Sequence, residues 1–429
     1  MLSAFAQAFR TPDLRRKLLF TLGIMAIFRL GTFIPAPGVS YANVQQCIAQ
    51  GGTGDLLGMV NLFSGGALLQ LSVFALGIMP YITASIIVQL MRVVIPRFEE
   101  LHKEGQAGQS RLTQYTRYLT IFLAVLQSSV IVTVANNGLF PGCTLQPIPD
   151  DSPGALLVTI IAMTAGTGLV MWLGEIISER GVGNGMSLLI FTSIVASFPS
   201  ALFSVAGGSG GIVDLLVIVG MLLLVTLLVV YVEQAQRRIP VQYAKRMVGR
   251  RMYGGSSTYI PLKINMAGVI PVIFASSLLA LPTLFAQFGD QTSPWVQWIS
   301  INVADPTAPL YIAIYGVLTL FFVFFYTSIT FNPDEVADNM KRYGGFIPGI
   351  RAGRPTAEYL QYVMSRITTA GAIYLTVVAL VPTIVFAQMN ITALQLGGTS
   401  ILIVVGVGLQ TIKEIDSQLQ QRHYEGFLR

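Results

Sequence analysis

Lysine and arginine are confined to alternate gaps between long apolar runs, and that regularity leaves very few folds open. Ten apolar runs read as spans, for which a bilayer needs about 20 helical residues; the last is short and could extend into Leu396. They lie near 18–34, 72–90, 118–135, 154–173, 186–203, 212–232, 267–288, 310–331, 367–388 and 398–411. Arg10, Arg15, Arg16 and Lys17 precede the first run, and further basic residues follow runs two, four, six, eight and ten. The gaps after runs one, three, five, seven and nine contain no Lys or Arg. Only Arg29, inside run one, stands outside the pattern. Positive charge is retained on the cytoplasmic side of a membrane, so both termini are expected there and the span count is even. The chain is 53% hydrophobic and 11% charged, against about 25% charged for a soluble domain. No small-residue cleavage pattern follows the first run, which is expected to remain as a span.

Five runs fall in residues 1–203 and five in 204–429. An odd number per half makes the halves enter from opposite sides, the topology of inverted repeats, which place a pathway at their interface. Two cytoplasmic loops, 233–263 and 332–366, are longer and more basic than orientation requires. Short basic flanks are explained by topology and anionic lipid; these two loops point further, to docking of a large anion or a protein. A third feature is the stretch 61–90. An apolar piece too short to span, with the pair Gly65-Gly66, precedes a full run with Met79-Pro80 inside it. Proline removes a backbone donor and kinks a helix, so a kinked span is expected at 72–90. Non-helical backbone at membrane depth is tolerated only beside protein or a water-filled cavity, and the stretch therefore suggests a cavity with something sitting in it.

The spans are nearly free of chemistry. A secondary transporter buries ionisable residues at membrane depth, and apart from Arg29 these runs carry none centrally. There is no HExxH, no GxSxG and no acid pair, and His102 and His423 both lie outside the runs. Two cysteines are too few for a metal site. The glycine-rich ERGVGNGMS (Glu179–Ser187) lacks the lysine and preceding strand of a phosphate loop and reads as a tight turn in which glycines let two spans approach. An ion channel would need a ring of charges or of carbonyls. What the runs offer is branched aliphatic residues, which gate by excluding water. No catalytic residue, cofactor or metal is expected.

Seven motifs in order then carry a resemblance. They are NLFSGGAL (61–68), FALGIMPYITASI (74–86), KEGQAGQSRLTQYTRY (103–118), ERGVGNGMSLLIF (179–191), LKINMAGVIPVIFASS (262–277), NPDEVADNMKRYGGFIPGIRAG (332–353) and GGTSILIVVGV (397–407). Over its whole length the chain resembles the SecY family of preprotein translocase channels. The resemblance implies an all-α polytopic membrane protein with ten transmembrane helices, in two inverted five-helix halves around a central hourglass pore. It implies a plug at Asn61, Leu62, Phe63, Ser64, Gly65, Gly66, Ala67, Leu68, Leu69 and Gln70. It implies a pore ring of Ile78, Ile82, Ile190, Ile273 and Ile403. Taken without the family, core packing or a lipid-facing position is the better reading of any one of these isoleucines, although Ile78 and Ile82, one turn apart, share a face. Spans two, three, seven and eight would form a lateral gate through which apolar segments leave for lipid. The implied partners are the small membrane subunits SecE and SecG, the motor ATPase SecA, the ribosome (through rRNA contact with the cytoplasmic loops) and signal-bearing preproteins. Arg250, Arg251 and Arg351 match the family's docking positions. The implied location is the bacterial cytoplasmic membrane.

Cys47, after run one, and Cys143, between runs three and four, both fall on the outer side by the charge argument, where disulfides persist. Two readings are open, a disulfide tying the outer loops of the first half or two unrelated thiols.

Overall fold

A computed structural model describes residues 9–50, 61, 64–137, 145–206, 211–243, 246–248, 251–253, 257–286, 293–303, 305, 307–388 and 398–427. Each of the ten expected spans contains a helix. These are α1 (Pro12–Gly31), α3 (Met79–Val94), α5 (Gln106–Asn137), α6 (Pro153–Arg180), α7 (Gly185–Ala206) and α8 (Gly211–Gln234) in the first part of the chain. They continue with α9 (Ile270–Ala286), α11 (Pro309–Thr330), α13 (Arg354–Gln388) and α14 (Gly398–Phe427). Shorter helices lie outside the bundle: α2 (Tyr41–Gln50), α4 (Pro96–Lys103), α10 (Pro294–Asn302) and α12 (Pro333–Arg342). Six of the described helices are long and apolar enough to cross a membrane, or seven if the bent pair α3 and α4 counts as one span.

Proline punctuates this fold at helix starts. Nine of the described helices, α1, α3, α4, α6, α9, α10, α11, α12 and α13, carry Pro in their first two positions, where its missing N–H is one the helix would leave unpaired anyway. This corrects the expected kinked span at 72–90. Residues 73–78 form successive turns, α3 begins only at Met79, and Pro80 occupies its first turn. The sharp bend comes instead at Ile95-Pro96, where α3 and α4 meet at 100°.

Seven buried hydroxyl groups inside the spans are satisfied locally, whereas those of Ser277 and Tyr374 have no partner among the described residues. Thr83, Thr116, Thr120, Thr167, Ser193, Thr319 and Thr327 each donate to the carbonyl four residues earlier. Lipid offers no partner for a polar group, and this back-bonding closes the account within the helix. The turn at Glu179–Ser187 is built as its glycines require. Gly183 has φ +86°, and a Cβ on Gly185 would come within 1.9 Å of the Gly174 carbonyl oxygen. Ser178 accepts from the Gly185 N–H at 2.9 Å, and Thr21 of α1 accepts from the Val182 N–H at 3.2 Å. The expected tight turn thus joins α6 to α7 and pins α1 to both.

The two long basic loops form one body. β1 (Gln236–Tyr243) pairs antiparallel with β4 (Ser257–Lys263), in register from Gln236↔Lys263 to Gln242↔Ser257. β5 (Gly345–Phe346) joins the other edge of β1, with Gln242 opposite Phe346 and Tyr243 opposite Gly345. β2 (Arg246–Val248) and β3 (Arg251–Tyr253) form a separate hairpin. Ile239, Val241 and Leu262 from the strands pack with Met340, Ile347, Leu360 and Met364 from the second loop and α13. The alternation along β1, Ile239 and Val241 in and Arg238 and Pro240 out, gives the sheet one dry face and one charged face.

Candidate functional site: the pore waist

The main hydrophobic cluster collects residues from both ends of the chain, and all five predicted ring isoleucines belong to it. Ile78, Ile82, Ile190 and Ile403 are buried in it and Ile273 packs against it. Two adjoining cavities, of about 400 and about 390 Å³, meet there. Ile82, Ile190 and Ile273 line the first; Ile190, Ile273 and Ile403 line the second. Four of the five thus converge from α3, α7, α9 and α14. Ile78 caps the start of α3, accepting from the Ile82 N–H at 3.1 Å, and lines neither cavity.

The polar side of these cavities was not anticipated in full. Arg117 on α5 and Glu175 on α6 line the first cavity as a two-pronged ion pair, Nε to Oε1 and Nη2 to Oε2 both at 2.8 Å. Arg–carboxylate pairs of this geometry fix orientation as well as charge. Glu233, Lys263, Asn265 and Lys413 line the second cavity, and Asn265 donates from Nδ2 to both Glu233 Oε1 and the Gly268 carbonyl. The sequence shows each of these polar residues at a cytoplasmic span end, but not that they share a vestibule.

Of the predicted plug, Leu62 and Phe63 lie outside the described residues. From Gly65 to Gln70 the chain is a compact coil, with Gly65 at φ +68° and Gly66 at φ +88°. Asn61 and Ser64 organise it. The Gly66 N–H donates to the Asn61 carbonyl at 2.9 Å, the Leu68 N–H to Ser64 Oγ at 3.1 Å, and the Leu69 N–H to Asn61 Oδ1 at 3.3 Å. Leu68 and Leu71 are fully buried in a second cluster with Cys47 and Ile148. The far end is fastened beside α1, where the Ala36 N–H donates to the Leu71 carbonyl at 3.0 Å and the Val73 N–H to the Ile34 carbonyl at 2.9 Å. A Cβ on Gly65 would meet Ser193 at 3.2 Å, one turn along α7 from Ile190. The segment therefore sits against the helix that carries Ile190.

Arg29, the cation that broke the charge pattern, meets this segment. Its Nη1 donates to the Gly65 carbonyl, and its guanidinium lies 4.7 Å from the centre of the Phe33 ring. Sequence alone marks Arg29 as out of place but gives no partner, because Gly65 is 36 positions away. A hydrogen bond to a charged group contributes about 1.5–3 kcal/mol. Arg29→Gln is therefore expected to raise the fraction of molecules with the Gly65 segment displaced by roughly ten- to a hundredfold. Resting ion conductance in planar bilayers checks it, and conductance equal to that of the unmodified chain would remove Arg29 from this role.

Of the predicted docking residues, Arg351 is described in full. It is exposed, between Gly349 at φ +83° and Gly353 at φ +103°. The Thr356 hydroxyl donates to its carbonyl at 2.9 Å, which fixes the backbone and leaves the guanidinium free of partners among the described residues. Arg251 opens β3 and Arg250 lies outside the described residues. Cys47 is buried, with its sulfur 3.6 Å from the Leu145 carbonyl oxygen, and Cys143 lies outside the described residues.

Comparison with known proteins agrees with this geometry. The SecY family model matches residues 72–412. The chain is 63% identical to protein translocase subunit SecY of Streptomyces coelicolor and 58% identical to that of Mycobacterium bovis, each over the full length of both chains. Among solved structures, one described as a protein conducting channel superposes with a TM-score of 0.62 at 20% identity, covering 93% of this chain and 91% of that one. Sec61 in a canine ribosome-channel complex superposes with a TM-score of 0.59 at 18% identity, with the same coverage. Membership rests on the sequence matches and the shared fold on the superpositions: this chain, a multi-pass membrane protein, belongs to the SecY family.

Proposed function

We infer that this chain forms a protein-conducting channel which passes unfolded preproteins across a membrane and releases apolar segments sideways into lipid. The observation that carries the reading is the convergence of aliphatic side chains from α3, α7, α9 and α14 on two cavities, with the coil at Gly65 against α7. As a member of this family the chain is a channel subunit and not an enzyme. A waist of isoleucine offers no hydrogen-bond partner to a passing peptide, so it does not select sequence. Its side chains can close around a chain and keep the constriction dry. When the pore is idle, residues 61–70 act as the plug. Halves 1–203 and 204–429 meet at α3 and α9, which touch, and that seam with α5 and α11 is the lateral gate. An apolar segment entering lipid there gains about 25 cal/mol for each Å² removed from water.

The channel itself is passive. Its drive comes from SecA or the ribosome docking on the fused body of loops 233–263 and 332–366, where Arg351 is exposed and Arg250 and Arg251 are the other expected docking residues. SecE and SecG complete the complex, and both termini face the cytoplasm of the bacterial inner membrane. Reconstitution tests the whole reading. The chain purified in mild detergent is expected to carry a SecE-like subunit and, given SecA and ATP, to import a signal-bearing substrate into vesicles. Failure of both would overturn it.

The outer loops of the first half are tied by a disulfide between Cys47 and Cys143. Support comes from Cys47, which holds a disulfide rather than a free thiol. In the chain-entropy model a loop this long is worth on the order of 4 kcal/mol. Neither thiol is expected to react with alkylating reagent in unreduced cells, and quantitative labelling of both would exclude the bond.

A further inference from the structure

The short outer helix α10 presents two of the three tryptophans of the chain to its surroundings. Trp295 is 51% exposed, Trp298 54% and Ile301 67%. These residues recur every three positions along one side. The opposite side is occupied: Val296 is buried, Ile299 packs on the main cluster, and Val303 is buried just past the helix end. No residue of PWVQWISIN is charged. A nine-residue helix is about 14 Å long, too short to cross the bilayer, and it packs on both α9 and α11. Those neighbours expose Leu278, Leu310, Val317 and Phe321, so the aromatic side of α10 continues the lipid-facing belt of the bundle.

We propose that α10 is an interfacial anchor, seated with Trp295, Trp298 and Ile301 in the headgroup–acyl boundary of the outer leaflet. Indole combines a large apolar body with one N–H donor, the combination that favours this depth. The absence of charge in α10 fits a zwitterionic or neutral surface better than an acidic or basic protein partner. The anchor ties the outer ends of α9 and α11 to the leaflet into which a sideways-moving segment must emerge. The proposal rests on the outer placement of this loop, and its test uses no translocation assay, so its failure is separable from failure of the channel reading.

The test is tryptophan quenching in the reconstituted channel. Trp172→Phe removes the third indole, which lies on the exposed side of α6. In vesicles of phosphatidylcholine brominated either near the headgroup or near the chain end, headgroup-proximal bromine is expected to quench about twofold more strongly, and external iodide weakly. Strong iodide quenching would place α10 in water; quenching by neither agent would place it under protein; stronger chain-end quenching would place it too deep. Each overturns the proposal. If Trp172→Phe fails to fold, the unmodified chain is compared with Trp295→Phe/Trp298→Phe, and the difference in quenching isolates α10. A headgroup-type difference supports the anchor and any other overturns it.

Discussion

Arg351→Glu is expected to leave the chain inserted and bound to its small subunit while ATP-driven export falls by roughly 30-fold or more. The first half of that result follows from position. Arg351 is exposed and its side chain has no partner among the described residues, and such surface changes shift stability by no more than about 0.5 kcal/mol. Its carbonyl, held by Thr356, survives any substitution, so the loop keeps its shape. The second half follows from charge. Loss of one member of a desolvated charge pair costs about 2–5 kcal/mol at an interface, and reversal adds repulsion. Membrane abundance, co-purification and ATP-driven import into vesicles measure the separate parts. Arg351→Lys keeps the charge without the fork and is expected to fall between. Loss of Arg351→Glu protein from the membrane would assign the residue to folding instead.

Ile403→Asn is expected to open the idle channel to ions and to let substrates with defective signal segments through. Ile403 is 1% exposed and lines the second cavity. An amide buried there without a partner costs about 1–3 kcal/mol, a penalty relieved when water enters, so closure weakens by roughly ten- to a hundredfold. Ile82→Asn acts on the other cavity in the same direction. Ile403→Val, which removes one methyl group, is the control and should change conductance little. Unchanged conductance and signal stringency in both asparagine variants would show that the seal lies elsewhere.

How far the sequence could be read varies with the residue. The ten helices followed from run length, because lipid forces the backbone to satisfy itself within each segment. Pro80 was misplaced because a proline in an apolar run reads the same at a kink as at a helix start. The turns before it, with Gly77 at φ +55° and Leu71 at φ +47°, are held by bonds to Ile34 and Ala36 from another part of the chain. The ring isoleucines are chemically identical to lipid-facing ones, and motif resemblance alone singled them out. Arg29 was legible as an anomaly, while its contact with Gly65 exists only in three dimensions. The fused body of the two basic loops was half legible: RIPVQ alternates with a period of two, as a strand does, but its pairing with Gly345–Phe346 crosses about a hundred residues and has no local signal.

α13 has a mechanical consequence. It starts at Arg354, three residues beyond Arg351, and runs for 35 residues with Pro382 inside its second half. At 1.5 Å per residue it is about 52 Å long, against a hydrocarbon thickness of about 30 Å. About 20 Å of helix therefore exceeds what a bilayer needs, and the loop that carries Arg351 lies at its start. The helix packs on α11, which belongs to the proposed lateral gate, and on α14, which carries Ile403. A load applied at the loop acts through that length as a moment arm, and it reaches both neighbours as a tilt of one body.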